Sequence, residues 1–390
     1  MIQSSYFKNL SVSLKPFVIF SLSLIFMLFL ILSAGLLNTF FPYSDTPQNH
    51  DETSLKWKYF TEHKDDYDII FIGGSVTHFG VIPKLFDEFM LKEGSNIKSF
   101  NFGIQGANAS QVDFYLQKIL TIKPANLKWI FIDCAFDLYI VEFPRSLTDI
   151  YWHTPQKTIE SFQLTLETNE SWKTKAKKIY VNFQSFVYRW LGIARVSNWW
   201  DEKILGLSLT KTDSLGSLSA TSEDKLIQES GYYAIDWRED FDNWKKRFFN
   251  IEKSNKYQKD LQEELAKIQN FSQPNMLIAD NNSHSQGIKI VKNIFSRIEH
   301  QNEHGSQKIE PIFVIPPTLE ANYNNSAMIQ AYNLGYISTL FAFNKPNIFN
   351  NLFQLDRRVD AAHLNHQGAK EYTLSLAEEF SQHLKNPTKF

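Results

Sequence analysis

One stretch of the chain is apolar without interruption. Phe17 to Leu37, FVIFSLSLIFMLFLILSAGLL, carries no charged residue. At about 1.5 Å rise per residue such a helix spans a hydrocarbon core of roughly 30 Å. Downstream, short apolar runs alternate with helix-period segments. Asp68 to Ile72 is apolar after its first residue and runs into Gly73-Gly74-Ser75, Ile97 to Phe102 runs into Gly103, Trp129 to Ile132 follows, and Ile312 to Ile315 is stopped by Pro316-Pro317. Each reads as a strand buried on both faces. Between and after them, a helix opening at Pro83 through Leu85, Phe86, Phe89 and Met90, Ser110–Leu120, Ile288–Ile298 and Tyr372–Leu384 read as helices. Strands alternating with helices predict an α/β sandwich on a mostly parallel sheet.

Polar positions supply the boundaries. Lys8 and Lys15 precede the apolar run, and Asp45, Asp51 and Glu52 follow it before the first basic residue, Lys56. The positive-inside bias places residues 1–16 in the cytoplasm, a single-pass anchor over 17–38 in the bilayer and the remainder outside, on the cytoplasmic (inner) membrane. A cleaved signal peptide is the alternative, with Ser33-Ala34-Gly35 as its small residues, but the run exceeds the usual 7–15-residue signal core. Residues 39–62 read as a polar stalk and 63–390 as the α/β domain. From about 157 to 285 the rhythm breaks into a polar, mostly helical insertion, expected to supply substrate or partner contacts rather than chemistry. Ile179–Trp200 within it is rich in aromatics and punctuated by Lys and Arg. A helix packing those aromatics on the α/β core is preferred there over one lying on a membrane surface.

Composition narrows the function classes. The 390 residues are 43% hydrophobic and 21% charged, which excludes wholesale disorder. Forty basic and 42 acidic side chains nearly cancel, and a net charge of -2 gives no electrostatic case for nucleic acid. The single cysteine, Cys134, excludes an intrachain disulfide and a multi-cysteine zinc site. With 33 Phe, 16 Tyr and 9 Trp, the chain can fill a large core and has aromatics to spare for lipid or sugar. There is no Gly-x-Gly-x-x-Gly and no phosphate loop, so no cofactor is expected.

Candidate chemistry falls where strands hand over to loops, beyond the carboxyl ends of a parallel sheet. Gly73-Gly74-Ser75-Val76-Thr77 presents a serine on a tight turn. Asn101-Phe102-Gly103-Ile104-Gln105-Gly106-Ala107-Asn108 offers backbone N–H groups, with Asn101 and Asn108 as side-chain donors. Asp360-Ala361-Ala362-His363-Leu364-Asn365 pairs an acid and an imidazole three residues apart. A serine hydroxyl needs a base, and the base needs an acceptor to fix its tautomer. Other readings carry less: Asp360, His363 and His366 as metal ligands, Asp240-Phe241-Asp242 as a glycosyltransferase-like Asp-x-Asp, and His78 as a residue lining the serine loop.

Together the blocks IIFIGGSVTHFGVIP, SFNFGIQGANAS, WIFID, FVIPPT and DAAHLNHQGAKEYT resemble the SGNH hydrolases, the GDSL-like esterase superfamily. In particular they look like its membrane-anchored bacterial members, relatives of the alginate O-acetyltransferase accessory proteins and of the lipoteichoic-acid D-alanylation protein. The resemblance covers about residues 65–150 and 288–384. It implies an SGNH-type three-layer sandwich, with Ser75 as nucleophile, His363 as base, Asp360 as its orienter and the backbone at Ser75 and Gly106 as oxyanion donors. It also implies an envelope polysaccharide or its acyl donor as substrate, and a multispanning membrane acyltransferase as candidate partner. Two positions depart from the pattern. Gly74 stands where GDSL-type esterases carry Asp, and Asp133-Cys134-Ala135-Phe136-Asp137 lacks the Asn of the third block, Gly-x-Asn-Asp. Asn108 is the candidate replacement donor, and Asp133 and Asp137 are loop carboxylates or substrate-hydroxyl ligands. The missing Asn also fits a non-catalytic SGNH-like assembly protein.

Overall fold

The computed structural model describes residues 14–40, 52–107, 109–133, 153–167, 170–191, 220–239, 241–248, 250–269, 285–305, 308–319 and 326–386. Its strands are β1 (Ile69–Gly73), β2 (Ser99–Gly103), β3 (Trp129–Ile132), β4 (Glu310–Ile315) and β5 (Leu340–Ala342). The helices before β3 are α1 (Leu14–Phe40), α2 (Glu52–Glu62), α3 (Ser75–Gly80), α4 (Pro83–Lys92) and α5 (Ala109–Ile122). Those after it are α6 (Pro155–Glu167), α7 (Trp172–Trp190), α8 (Ala220–Gln228), α9 (Phe241–Phe248), α10 (Ile251–Gln269), α11 (Ser285–His304), α12 (Ser326–Asn333) and α13 (His366–Lys385).

The five strands form one parallel sheet in the order β2-β1-β3-β4-β5. Apolar residues run unbroken along β1 because helices cover both of its faces. Phe71 and Phe131 point to one face, where their rings meet Phe86 of α4 and Phe380 of α13 at 5.1 and 5.2 Å. Phe100 and Phe102 point to the other, against Phe60 and Trp57 of α2 and Tyr115 of α5. Chain order leaves β1 for β2, then returns past β1 to β3. The switch point of the sheet therefore lies at β1 and β3, and Ser75 follows β1 directly.

The chain divides into two compact units. One contains β1–β5, α2–α5 and the described residues from 220 on, together with the end of α6. The other contains α1, residues 153–162 and α7. In α1, Pro16–Leu36 has a mean hydropathy of 2.7 and, among the described residues, is the one helix long and apolar enough to cross a membrane. Its side chains are exposed, Phe20 by 68% and Leu32 by 67%, which separates it from the core helix of a water-soluble fold.

Two boundaries expected from composition are corrected. The stalk does not extend to 62: Glu52–Glu62 is α2, and Lys56, Trp57 and Phe60 are buried in the α/β unit. Its polar spacing hid a helix that turns Glu52 and Lys56 inward. The insertion is not one separable cap either. The Ser230 carbonyl accepts the Asn101 N–H at the edge of β2, and Tyr257 and Leu261 of α10 belong to the same core cluster as Phe71 and Phe353. Residues 220–261 are thus part of the α/β unit, whereas α7 is not. The expected packing of the Ile179–Trp200 aromatics on a core fails for Tyr180, 65% exposed, and Phe183, 51% exposed, whereas Phe186 and Tyr188 are half-buried and Trp199 and Trp200 lie outside the described residues. The strand β5 was missed because three residues give too short an apolar run to register. The last helix begins six residues early because Asn365 caps it, accepting the Gly368 N–H at 2.9 Å.

Candidate active site

Ser75 is the first residue of α3, with Gly74 extended before it as the cap. The strand-to-helix reversal turns the serine out at the carboxyl edge of the sheet. His363 arrives from the far end of the chain on a tight loop. That loop is closed by the Val359 N–H donating to the His363 carbonyl at 3.0 Å and by an antiparallel bridge between Arg358 and Leu364. The loop places His363 Nε2 2.7 Å from Ser75 Oγ. Nδ1 lies 2.9 and 3.0 Å from the two carboxylate oxygens of Asp360.

Asp360 is held as an anion. Burial works against its charge, but the His363 contact and the N–H groups of Ala362 and His363, donating at 2.8 and 2.7 Å, outweigh it and keep the carboxyl down at about 2. An ionised acceptor assigns the imidazole proton to Nδ1. Nε2 is then left with its lone pair toward Ser75, so the serine hydroxyl donates to it. Phe79 of α3 packs edge-on against the imidazole at 5.8 Å.

Arg358 fixes the loop from beneath. Its guanidinium is buried and donates to four carbonyls: Asp360 at 3.1 Å, Ala361 at 2.8 Å, Pro317 at 2.9 Å and Leu352 at 2.9 Å. Two of these carbonyls belong to the catalytic-looking loop and one to the turn after β4, so a single side chain sets their relative positions. Sequence reasoning missed this residue; a buried arginine has no signal in composition or spacing.

The second loop lies beside the first, since Gly73 and Gly103 are register partners on neighbouring strands. A Cβ on Gly103 would collide with the backbone N of His78, so only glycine permits α3 to pass this close. Gly106 has φ +70°, a left-handed turn open on the side where a Cβ would stand. Asn101 is excluded as an oxyanion donor. Its amide is spent on the Thr77 and Val81 carbonyls at 2.8 and 2.7 Å, which closes the end of α3. Asn108 and Asp137 lie outside the described residues, as do Cys134 and Asp240.

His78 does not join Ser75. It is fully buried, with Nδ1 2.7 Å from Lys56 Nζ and Nε2 2.9 Å from Glu52 Oε2, an ion-pair distance without the alignment of a ring N–H hydrogen bond. Lys56 also donates to the Gly103 carbonyl at 2.7 Å. Burial pulls the Lys56 ammonium down to about 7 against the opposing pull of Glu52. Burial and the Lys56 charge lower His78 in turn. Glu52 is pushed up by burial but ends below its ordinary value because of His78 and Lys56. The cluster ties α2, α3 and the end of β2 together behind the serine. Its two α2 members, Glu52 and Lys56, fall in the expected stalk, where charged residues read as solvated.

Asp133, directly after β3, is buried and accepts from Thr77 Oγ1 at 2.8 Å. It therefore braces α3 rather than facing a sugar. Burial raises its carboxyl to about 7, opposed by the Thr77 hydrogen bond. His366 is likewise turned away from His363: its Nδ1 is 2.9 Å from Tyr232 Oη, and its backbone N–H donates to Asp236. No group of three or more His, Cys, Asp or Glu is arranged to hold a metal among the described residues. Arg238 donates to Gln105 Oε1 at 3.3 Å, bringing the 229–239 segment to the second loop.

The arrangement is an acid–imidazole–hydroxyl relay on a rigid sheet edge, which is the equipment for nucleophilic acyl transfer. No protein-family model and no curated protein matches this chain.

Proposed function

We propose that this chain is a membrane-anchored, extracytoplasmic serine O-acyltransferase or esterase of the SGNH type, acting on cell-envelope polysaccharide. The observation that carries the chemistry is the relay from Asp360 through His363 to Ser75 at the switch point of the sheet. Ser75 Oγ attacks the acyl carbonyl of the donor while His363 Nε2 takes its proton. His363 then returns that proton to the departing oxygen, leaving an acyl ester on Ser75. A sugar hydroxyl, or water, gives its proton to His363 and attacks the ester, and His363 passes that proton to the departing Ser75 Oγ, restoring both residues. Backbone N–H groups at Ser75 and Gly106 are the donors assigned to the oxyanion. The block resemblance supports the SGNH assignment and the polysaccharide. The exposed apolar α1 supports the anchor, and the lysines before it support an extracytoplasmic α/β unit.

A second reading, a non-catalytic SGNH-like protein that holds a membrane acyltransferase or the polysaccharide, draws on Asp133 standing after β3 where the third block begins. Turnover separates the two. Full-length protein in detergent, given a short-chain acyl ester with and without polysaccharide, is followed by acid release and by NMR of acylated sugar positions. Ser75-dependent release or transfer supports the enzyme. Turnover that Ser75→Ala leaves intact, or none at all, favours the assembly role.

A further inference from the structure

Helix α7 carries its amphipathicity inside out. Val181, Asn182 and Ser185 are the residues it buries, and Asn182 Oδ1 accepts from His153 Nε2 at 2.8 Å on that side. Trp172, Ala176, Ile179, Phe183, Phe186, Val187 and Trp190 recur every three or four positions and make one apolar stripe. The stripe lies away from the buried side, with Trp172 73%, Phe183 51% and Trp190 39% exposed. Phe186 links Phe183 and Trp190 in a ladder of tilted rings at 6.5 and 6.1 Å. Nothing in water favours such a face, and large exposed apolar patches mark interaction surfaces.

The charges say what covers it. Lys173, Lys175 and Arg189 border the stripe, Lys177 and Lys178 lie round toward the opposite face, and the helix has no acidic residue. Cations beside a Trp/Phe face are the pattern of helices that lie in an anionic lipid interface, with the rings at the headgroup boundary and the amines on phosphates. A protein groove would demand no such uniform sign. Moreover, α7 falls in the same compact unit as α1, the one described helix fit to cross a bilayer. We infer that α7 lies in the plane of the membrane, its aromatic stripe seated in an anionic phospholipid surface. The inference rests on α1 being a membrane anchor but not on any chemistry at Ser75.

Full-length protein in a Cys134→Ser background, reconstituted into vesicles of three parts phosphatidylcholine to one part phosphatidylglycerol, tests this. An NBD label is placed at Phe183→Cys on the stripe, at Lys177→Cys about 120° round the helix from it or at Phe26→Cys in α1, and lipids with a shallow nitroxide act as quencher. The expected result is quenching at 183 about threefold or more stronger than at 177, with 26 protected from aqueous quencher. Quenching at 26 by deep nitroxides but none at 183 would overturn the surface helix and leave the anchor standing; a stripe covered by a protein gives this result. An absence of quenching at both positions would overturn both readings.

Discussion

Ser75 Oγ and His363 Nε2 lie 2.7 Å apart although 288 positions separate them in the chain. Neither residue means much alone, and a single contact makes them one device. Members of such a device fail together. Ser75→Ala, His363→Ala and the double variant are therefore expected to lose kcat to a similar extent, by about 10⁴ or more. Asp360→Asn, which removes the anion that fixes the Nδ1 proton, should lose about 10³–10⁴. Ester turnover by the four variants checks this. Losses that multiply would mean that the residues act separately.

Arg358 should matter more than any surface charge. Arg358→Met takes the guanidinium donor from the carbonyls of Asp360, Pro317 and Leu352, and leaves that of Ala361 only its longer bonds from the Leu319 N–H and the Thr318 hydroxyl. Destabilisation of about 3 kcal/mol or more is expected by urea unfolding. A drop in kcat should accompany it, because the loop that aims His363 loses its support.

Lys56 is the best probe of the cluster behind the serine. Lys56→Ala strands Glu52 and His78 and is expected to cost about 3–5 kcal/mol. Lys56→Met with Glu52→Gln removes both charges together and should recover part of that loss. Urea midpoints of Lys56→Met, Glu52→Gln and their double variant measure the coupling.

Asp133 predicts a pH dependence. It keeps its proton to about pH 7 in the fold but only to about 3.8 when unfolded. Its contribution to stability is therefore complete below about pH 4 and declines as pH rises through 7. Asp133→Asn removes the titration, so its melting temperature relative to the parent should rise between pH 5 and pH 8. A difference constant over that range would contradict the buried carboxyl.

The parts of the fold legible in the sequence are those with unbroken apolar character. β1 to β4, α1 and the amphipathic stripes of α5, α11 and α13 announce themselves because burial on both faces, or on one helical face, leaves a period. The meeting of Ser75, Asp360 and His363 was legible because each sits where a strand or helix boundary is marked by Gly, Asp or Asn. Lys56, Glu52 and Arg358 were not, since buried charges look like surface charges until their partners are known. Tyr232 and Tyr257 were obscured by the polar context of the 220–269 segment, in which Tyr257, Leu261 and Leu265 make only one narrow apolar stripe. Asn101 misled for a related reason: an amide beside a glycine loop looks free until α3 claims it.

Labelling with a fluorophosphonate tests the central claim most directly, because only a serine activated by a base reacts readily. The full-length protein should take up one probe, mapped by peptide mass spectrometry to Ser75. Ser75→Ala should abolish the label, and His363→Ala should slow it by about 10³ or more. A wild-type protein that stays unlabelled while folded, or a label at Ser75 that forms as fast without His363, would contradict the account.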